Sequence, residues 1–263
     1  FLLVWQRRSE RRNFFMKNQT IDRSTFSNPF SAKYWRLASA ELKNPKMLAI
    51  AALLVALRVA LKSVQIPVGE NLNITIGFFI NALGAMIFGP VTALAAAAVS
   101  DTLGALLFPV GPYFFPFIFV EMIGSLIFAL MLYRTKITAS RIILSRFLVV
   151  FFCNLVLNPL IMIPYYKLFY DGKAYAFFTT ARLIKNLALF PLEALLLVLF
   201  LRAVVPVTNR MGLTYTDDKK IHLKSRDIIL LVILALVAAA AVIGFYFYKF
   251  GSLQKLFPFL YNA

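Results

Sequence analysis

The chain has 263 residues, 61% of them hydrophobic and 15% charged, with a formal net charge of +17. A soluble domain of this size does not carry that composition, so a polytopic membrane protein is expected. The basic excess suits the positive-inside rule better than nucleic-acid binding. One Cys and one His exclude an internal disulfide framework and a Cys/His metal cluster.

Residues 1–45 are polar and basic and read as a cytoplasmic extension. FLLVW is too short for a signal-peptide core and is followed at once by QRRSERR. Met16 opens a second plausible start, MKNQTIDRSTF, which makes residues 1–15 either upstream translation or a loose tail. SAKYWRLASAEL, residues 31–42, reads as a short amphipathic helix on the inner membrane face. Seven hydrophobic segments follow, at 46–64, 74–89, 91–108, 116–134, 142–164, 180–204 and 226–249. A span needs about 20 residues; the second and third segments are short and meet at a tight turn, Phe88-Gly89-Pro90.

The cations order these segments. Ten Lys/Arg precede Met47, four lie at Arg134, Lys136, Arg141 and Arg146, and six lie between Arg202 and Arg226, so twenty of 28 share one side. That bias predicts a cytoplasmic N-terminus. The expected fold class is an all-α integral membrane protein: a membrane domain over 46–204, a charged cytoplasmic linker over 205–225, an additional transmembrane helix over 226–250 and an external tail over 251–263.

Several patterns point to a site. Ala49, Ala52, Ala56 and Ala60 fall on one helix face within about 80°. Small residues so spaced admit another helix closely, from this chain or from a partner. Arg58, roughly opposite, either snorkels or faces a cavity. Gly77, Asn81 and Gly84 share a face of the second segment. Asp101 sits in a helix of small residues and is costly there unless paired or solvated; it reads as a ligand contact or as half of a buried pair. FPVGPYFFPF, residues 108–117, is an interfacial aromatic belt or the rim of a pocket for a flat ligand. Glu121, a turn into the next segment, is placed to accept from a ring amine or amide.

TTARLIKNLALFPLEALLL, residues 179–197, is the least comfortable stretch in lipid. Arg182, Asn186, Leu189 and Glu193 share a face within about 60°, with Lys185 at its edge. Two cations, an amide and a carboxylate on one stripe favour an outward polar cavity suited to an anionic solute. Asn154 and Asn158, at i and i+4, and Tyr165-Tyr166 supply further polar walls.

Three blocks together resemble the substrate-binding S components of energy-coupling factor (ECF) transporters, folate family. They are KYWRLASAELKNPKMLAIAALLVALRVALK, ITIGFFINALGAMIFGPVTALAAAAVSDTLGALLFPVGPYFFPFIFVEMIGSLIFALMLYR and ARLIKNLALFPLEALLL, and they cover most of 33–204. The resemblance implies a six-helix bundle in a bacterial cell membrane, with a vitamin site near the outer face. It implies that the alanine stripe meets a membrane T component, that two ATPase subunits bind that component, and that the S component topples to release its vitamin inside. Depth and side-chain chemistry suit a folate-like vitamin, with ring stacking on Tyr113, Phe114 and Phe115, acceptance by Glu121 or Asp101, and tail carboxylates held by Arg182 and Lys185, with Asn154 and Asn186 as polar walls. No G-x-x-x-x-G-K-[ST] loop occurs in the chain, so no cofactor is expected here and ATP is used by the partner ATPases.

The seventh segment departs from the six-helix pattern, as do the two prolines of LNPLIMIPYYKLFYDG. An S component for another heteroaromatic vitamin, or a membrane scaffold subunit without a small ligand, are the alternatives. A membrane enzyme has little support: one His, no Ser/His/Asp setting and no metal-ligand cluster.

Overall fold

The computed structural model describes residues 26, 29–69, 72–109, 111–170, 175, 180–214 and 225–250. The expectations for 1–25, for most of the charged linker and for the tail at 251–263 lie outside the described residues.

Helix α1 (Ala32–Ala40) is capped by Ser31, whose hydroxyl accepts from the Tyr34 N–H. A 3₁₀ turn, Glu41–Lys43, leads into α2 (Pro45–Lys62). Asn44 caps α2 by accepting from the Lys46 N–H at 3.1 Å, and Pro45 fills a first-turn position where no N–H is needed. The chain bends by 81° between α1 and α2. Since α2 runs through the bundle, α1 lies across its end, as its amphipathic pattern predicts. Tyr34 and Ala38 are its buried face, and the Tyr34 hydroxyl donates to the Ala129 carbonyl at 3.1 Å.

A short antiparallel hairpin follows, β1 (Gln65–Gly69) and β2 (Leu72–Thr75), pairing Gln65 with Thr75 and Ile66 with Ile74. The sequence pattern predicts no strand here and places the start of the second helix at 74. Two runs of four and five residues interrupted by Pro67 and Gly69 are too short to show a period of two.

Helix α3 (Gly77–Leu107) is broken at Gly89, where φ is 74°. Lys62 contacts Asp101, twelve residues after Gly89, and shares a cavity with Gly77, twelve residues before it. A straight helix would hold those two points roughly 36 Å apart, so the two arms fold back on each other. The turn expected at Phe88-Gly89-Pro90 is there, and only glycine suits it. A Cβ on Gly89 would sit 2.7 Å from the Tyr133 ring, in a backbone conformation L side chains rarely adopt. The first arm is only about 18 Å long, and the hairpin extends it at the end away from Gly89.

Helix α4 (Phe117–Leu132) returns toward the Gly89 end. There the Tyr133 hydroxyl donates to Glu41 at 3.2 Å, and Arg134 Nε donates to the Tyr133 hydroxyl at 2.9 Å. Helix α5 runs over Ala139–Phe169, capped by Thr138, with a π-helical stretch at Val150–Leu157. The stretch ends against Pro159, which has no N–H to continue the regular ladder. The helix nonetheless continues five residues past the expected 164, through both prolines. Helix α6 (Thr180–Arg210) likewise passes Pro191 and Pro206 and ends beyond the expected 204. Helix α7 (Ser225–Phe250) lies beside α6. It is seated by Asp227, 2% exposed, which accepts from the Ser140 hydroxyl at 2.6 Å, and by buried Leu234; Ile229, Val232 and Leu236 face outward.

The largest fully buried side chains of the core come mainly from α3, α4 and α6. Phe88, Phe128, Leu132, Leu197 and Leu201 are fully buried, and Ala82, Ala85, Ala129 and Ala194 let the backbones approach. Of the helices, α3, α5 and α6 each contain a run long and apolar enough to cross a membrane.

Candidate functional site

Arg58 and Lys62 stand one turn apart on α2, so they share a face. Both turn into the bundle. Arg58, 7% exposed, pairs with Glu121 of α4. Lys62 Nζ lies 2.7 Å from Asp101 Oδ1 on the second arm of α3. On the opposite side Arg146 of α5 pairs with Glu193 of α6 at 2.8 Å and lays its guanidinium over the Phe78 ring, 4.1 Å from the centroid.

Between these pairs lies a cavity of roughly 170 Å³. Arg58, Lys62, Arg146, Glu121, Asn81 and Asn154 supply its polar lining, and Phe78 and Phe128 its aromatic surfaces. Three cations and one carboxylate line it, while Asp101 and Glu193 stand behind Lys62 and Arg146. The wall thus offers more positive than negative charge to an occupant, although each pair is neutral. Asn81 accepts from the Ser125 hydroxyl. Asn154 donates to Asn186 at 3.2 Å, and Asn186 donates to the Arg182 carbonyl at 2.9 Å. This amide chain joins the cavity to the first turns of α6. A second void, of about 20 Å³ against Ala51 and Gly84, is mainly apolar and has room for one water.

The predicted site residues divide among these places. Glu121 and Asn154 line the cavity. Asp101 is the partner of Lys62, and Asn186 the partner of Asn154. Arg182 sits over the Tyr175 ring, 5.0 Å from its centroid, and Lys185 is partly buried one turn along α6. Tyr113 and Phe115 are 44% and 58% exposed at the end of the bundle and do not line the cavity. Phe114, between them, packs instead on Tyr165 and Phe169.

The sequence marks Arg146 only as a charge for topology, leaves Arg58 open between lipid and cavity, and singles out nothing for Lys62. The spacing of Arg58 and Lys62 at i and i+4 is the signal that pairs them. Nothing in the spacing of Arg146 marks it.

Ala49, Ala52, Ala56 and Ala60 are all exposed. The buried face of α2 is Met47, Ala51, Arg58 and Val59. The small-residue stripe is therefore not used for packing among the described residues.

Comparisons with known proteins agree on the transporter class and name different vitamins. Residues 43–205 match a family model described as ECF-type riboflavin transporter, S component. The folate transporter FolT of Clostridium novyi is 30% identical over 135 residues, 51% of this chain and 74% of that protein. FolT of Leuconostoc mesenteroides is 32% identical over 144 residues, 54% of this chain and 77% of that protein. A crystal structure of FolT bound with folic acid aligns with a TM-score of 0.51 and 30% identity, over 57% of this chain and 88% of that one.

Proposed function

This chain belongs to the S components of ECF-type transporters, and on that premise we propose that it captures folate or a related pterin at the outer face of the cell membrane and delivers it inward. The observation that carries the reading is the cavity itself. It sits within residues 43–205, the segment that matches the S-component family model, it is walled by aromatic faces and amides, and three cations turn toward it. A flat pterin suits Phe78 and Phe128, with Glu121 meeting the ring amine and N–H, and Asn81 and Asn154 meeting the ring's remaining polar edge. Asp101 serves by holding Lys62 in place. The glutamyl end points to Arg182, Lys185 and Asn186 of α6, and Tyr113 and Phe115 flank the mouth. These are roles assigned from position and chemistry.

The alanine stripe of α2 is the surface for a membrane T component. Its exposure supports this, because a helix face of small residues left unpacked is suited to close approach by a second chain. Two ATPase subunits bound to that component use the ATP, a division supported by the lack of a G-x-x-x-x-G-K-[ST] loop in this chain. The cation distribution supports an N-terminus on the cytoplasmic side, with α1 along that face. Helix α7 crosses the membrane beside α6.

The test is calorimetry on the purified protein in detergent, with folic acid and riboflavin titrated separately, after mass spectrometry of any co-purifying small molecule. One-to-one binding of folic acid is expected, weakened in Glu121→Gln. Binding of riboflavin in place of folic acid moves the ligand and keeps the transporter. Binding of neither, with no co-purifying molecule, leaves the scaffold subunit as the reading.

A further inference from the structure

Between α5 and α6, outside the cavity, three buried polar atoms have no hydrogen-bond partner among the described residues: Arg182 Nη1, the Tyr175 hydroxyl and Asn158 Oδ1. Buried polar groups are nearly always satisfied, and an orphan costs as much as the desolvation it suffered. Three in one neighbourhood call for a common partner.

Arg182 and Tyr175 are in contact, and the register of the two helices brings Asn158 toward them. The helices run antiparallel, and Asn154 of α5 bonds Asn186 of α6. One turn outward on each, Asn158 comes level with Arg182. The Arg182 guanidinium lies over the Tyr175 ring, which packs on Tyr166 of α5 at 4.9 Å. Glu193, the carboxylate on the same face of α6, is occupied by Arg146. No described carboxylate is bonded to Arg182. The set is one cationic donor, one hydroxyl donor and one amide acceptor.

We propose that Arg182, Tyr175 and Asn158 form a subsite for a carboxylate borne next to an amide N–H, which on the folate reading is the glutamyl terminus. The carboxylate takes Arg182 Nη1 and the Tyr175 hydroxyl as donors. The amide N–H is taken by Asn158 Oδ1. The π-helical stretch ends at Leu157, so it sets the rotation at which Asn158 leaves α5. This assignment rests on the proposed function; it adds Tyr175, which no pattern in the sequence marks, and gives a specific role to Asn158, which the i, i+4 spacing with Asn154 marks only as a polar wall.

The test compares folic acid with pteroic acid, which lacks the glutamate, by calorimetry on the full chain and on Tyr175→Phe, Asn158→Leu and Arg182→Gln. The wild type should bind folic acid about tenfold or more tightly over pteroic acid, as one charge-assisted bond implies. Arg182→Gln should remove most of that preference and the other two variants part of it, with pteroic acid affinity unchanged within about twofold. A wild type that binds both ligands equally overturns the subsite and leaves the folate reading standing. Variants that weaken both ligands in parallel also overturn it, since that marks helix packing. A wild type that binds neither ligand removes both readings.

Discussion

The Arg58–Glu121 pair allows a prediction whose two halves differ. The Arg58 side chain is 8% exposed and that of Glu121 35%, because the carboxylate opens on the cavity. Glu121→Gln therefore strands a buried guanidinium. Removing one member of a buried pair costs about 3 kcal/mol or more. Arg58→Gln strands a carboxylate that still reaches cavity water, which should cost about 1–2 kcal/mol, below the fully buried case. At roughly 2–4 °C per kcal/mol, Glu121→Gln should lower the melting temperature by about 6–12 °C and Arg58→Gln by about 2–8 °C. The double variant leaves two neutral groups facing each other and should recover at least half of the Glu121→Gln loss. Thermal unfolding in detergent, followed by intrinsic fluorescence and completed as a double-mutant cycle, measures all three. Additive losses in the double variant, or Arg58→Gln proving the worse single change, would refute the reasoning.

Three other outcomes are expected. Gly89→Ala should lose about 2–3 kcal/mol from positive φ and from overlap with the Tyr133 ring, read as a fall in melting temperature; an unchanged melt would mean that the two arms of α3 do not turn there. Ala52→Trp should leave folding and folic acid affinity of the isolated chain intact while abolishing co-purification with a T component; a destabilised chain would place the stripe inside the fold. Cys153 lines the cavity at 2% exposure, so a small thiol reagent should modify it slowly, and saturating folic acid should slow it by about tenfold or more; equal rates with and without ligand would put the ligand elsewhere.

Much of this architecture is legible in the sequence because lipid imposes strong patterns. Apolar runs mark α2, α5 and α6 by length alone, and Phe88-Gly89-Pro90 marks the turn that divides α3, since glycine and proline have specific backbone reasons to be there. The hairpin at Gln65–Thr75 escaped because its strands are shorter than the window in which alternation shows. The carboxylates were legible as costly residues, and pairing was one of the two readings open for Asp101. The identity of their partners was not. Arg58 meets a residue 63 positions away, and Arg146 one 47 positions away. Nothing local distinguishes a cation that snorkels from one that turns inward. The rim aromatics show the same limit, since Phe114 packs inward on Tyr165 while its neighbours Tyr113 and Phe115 stay exposed.

The pairs around the cavity fall into two sets with a consequence for the ligand. Arg58–Glu121 and Lys62–Asp101 tie α2 to α4 and α3, and Asn81 with Ser125 ties α3 to α4. Arg146–Glu193 and Asn154–Asn186 tie α5 to α6. A contact that crosses between the sets is the Arg146 guanidinium on the Phe78 ring, a weaker link than a buried ion pair. A ligand held between Glu121 and Asn154 supplies polar links across that gap. Saturation at a hundredfold excess over Kd should stabilise the fold by about 2.7 kcal/mol. More diagnostic is where the stabilisation falls. Hydrogen exchange should slow in α4 and in the π-helical part of α5 together, because each set is already bonded within itself and the ligand adds the link between them. Protection confined to α5 and α6 would mean that the ligand sits wholly between those helices and that the cavity facing Arg58 is not where it is held.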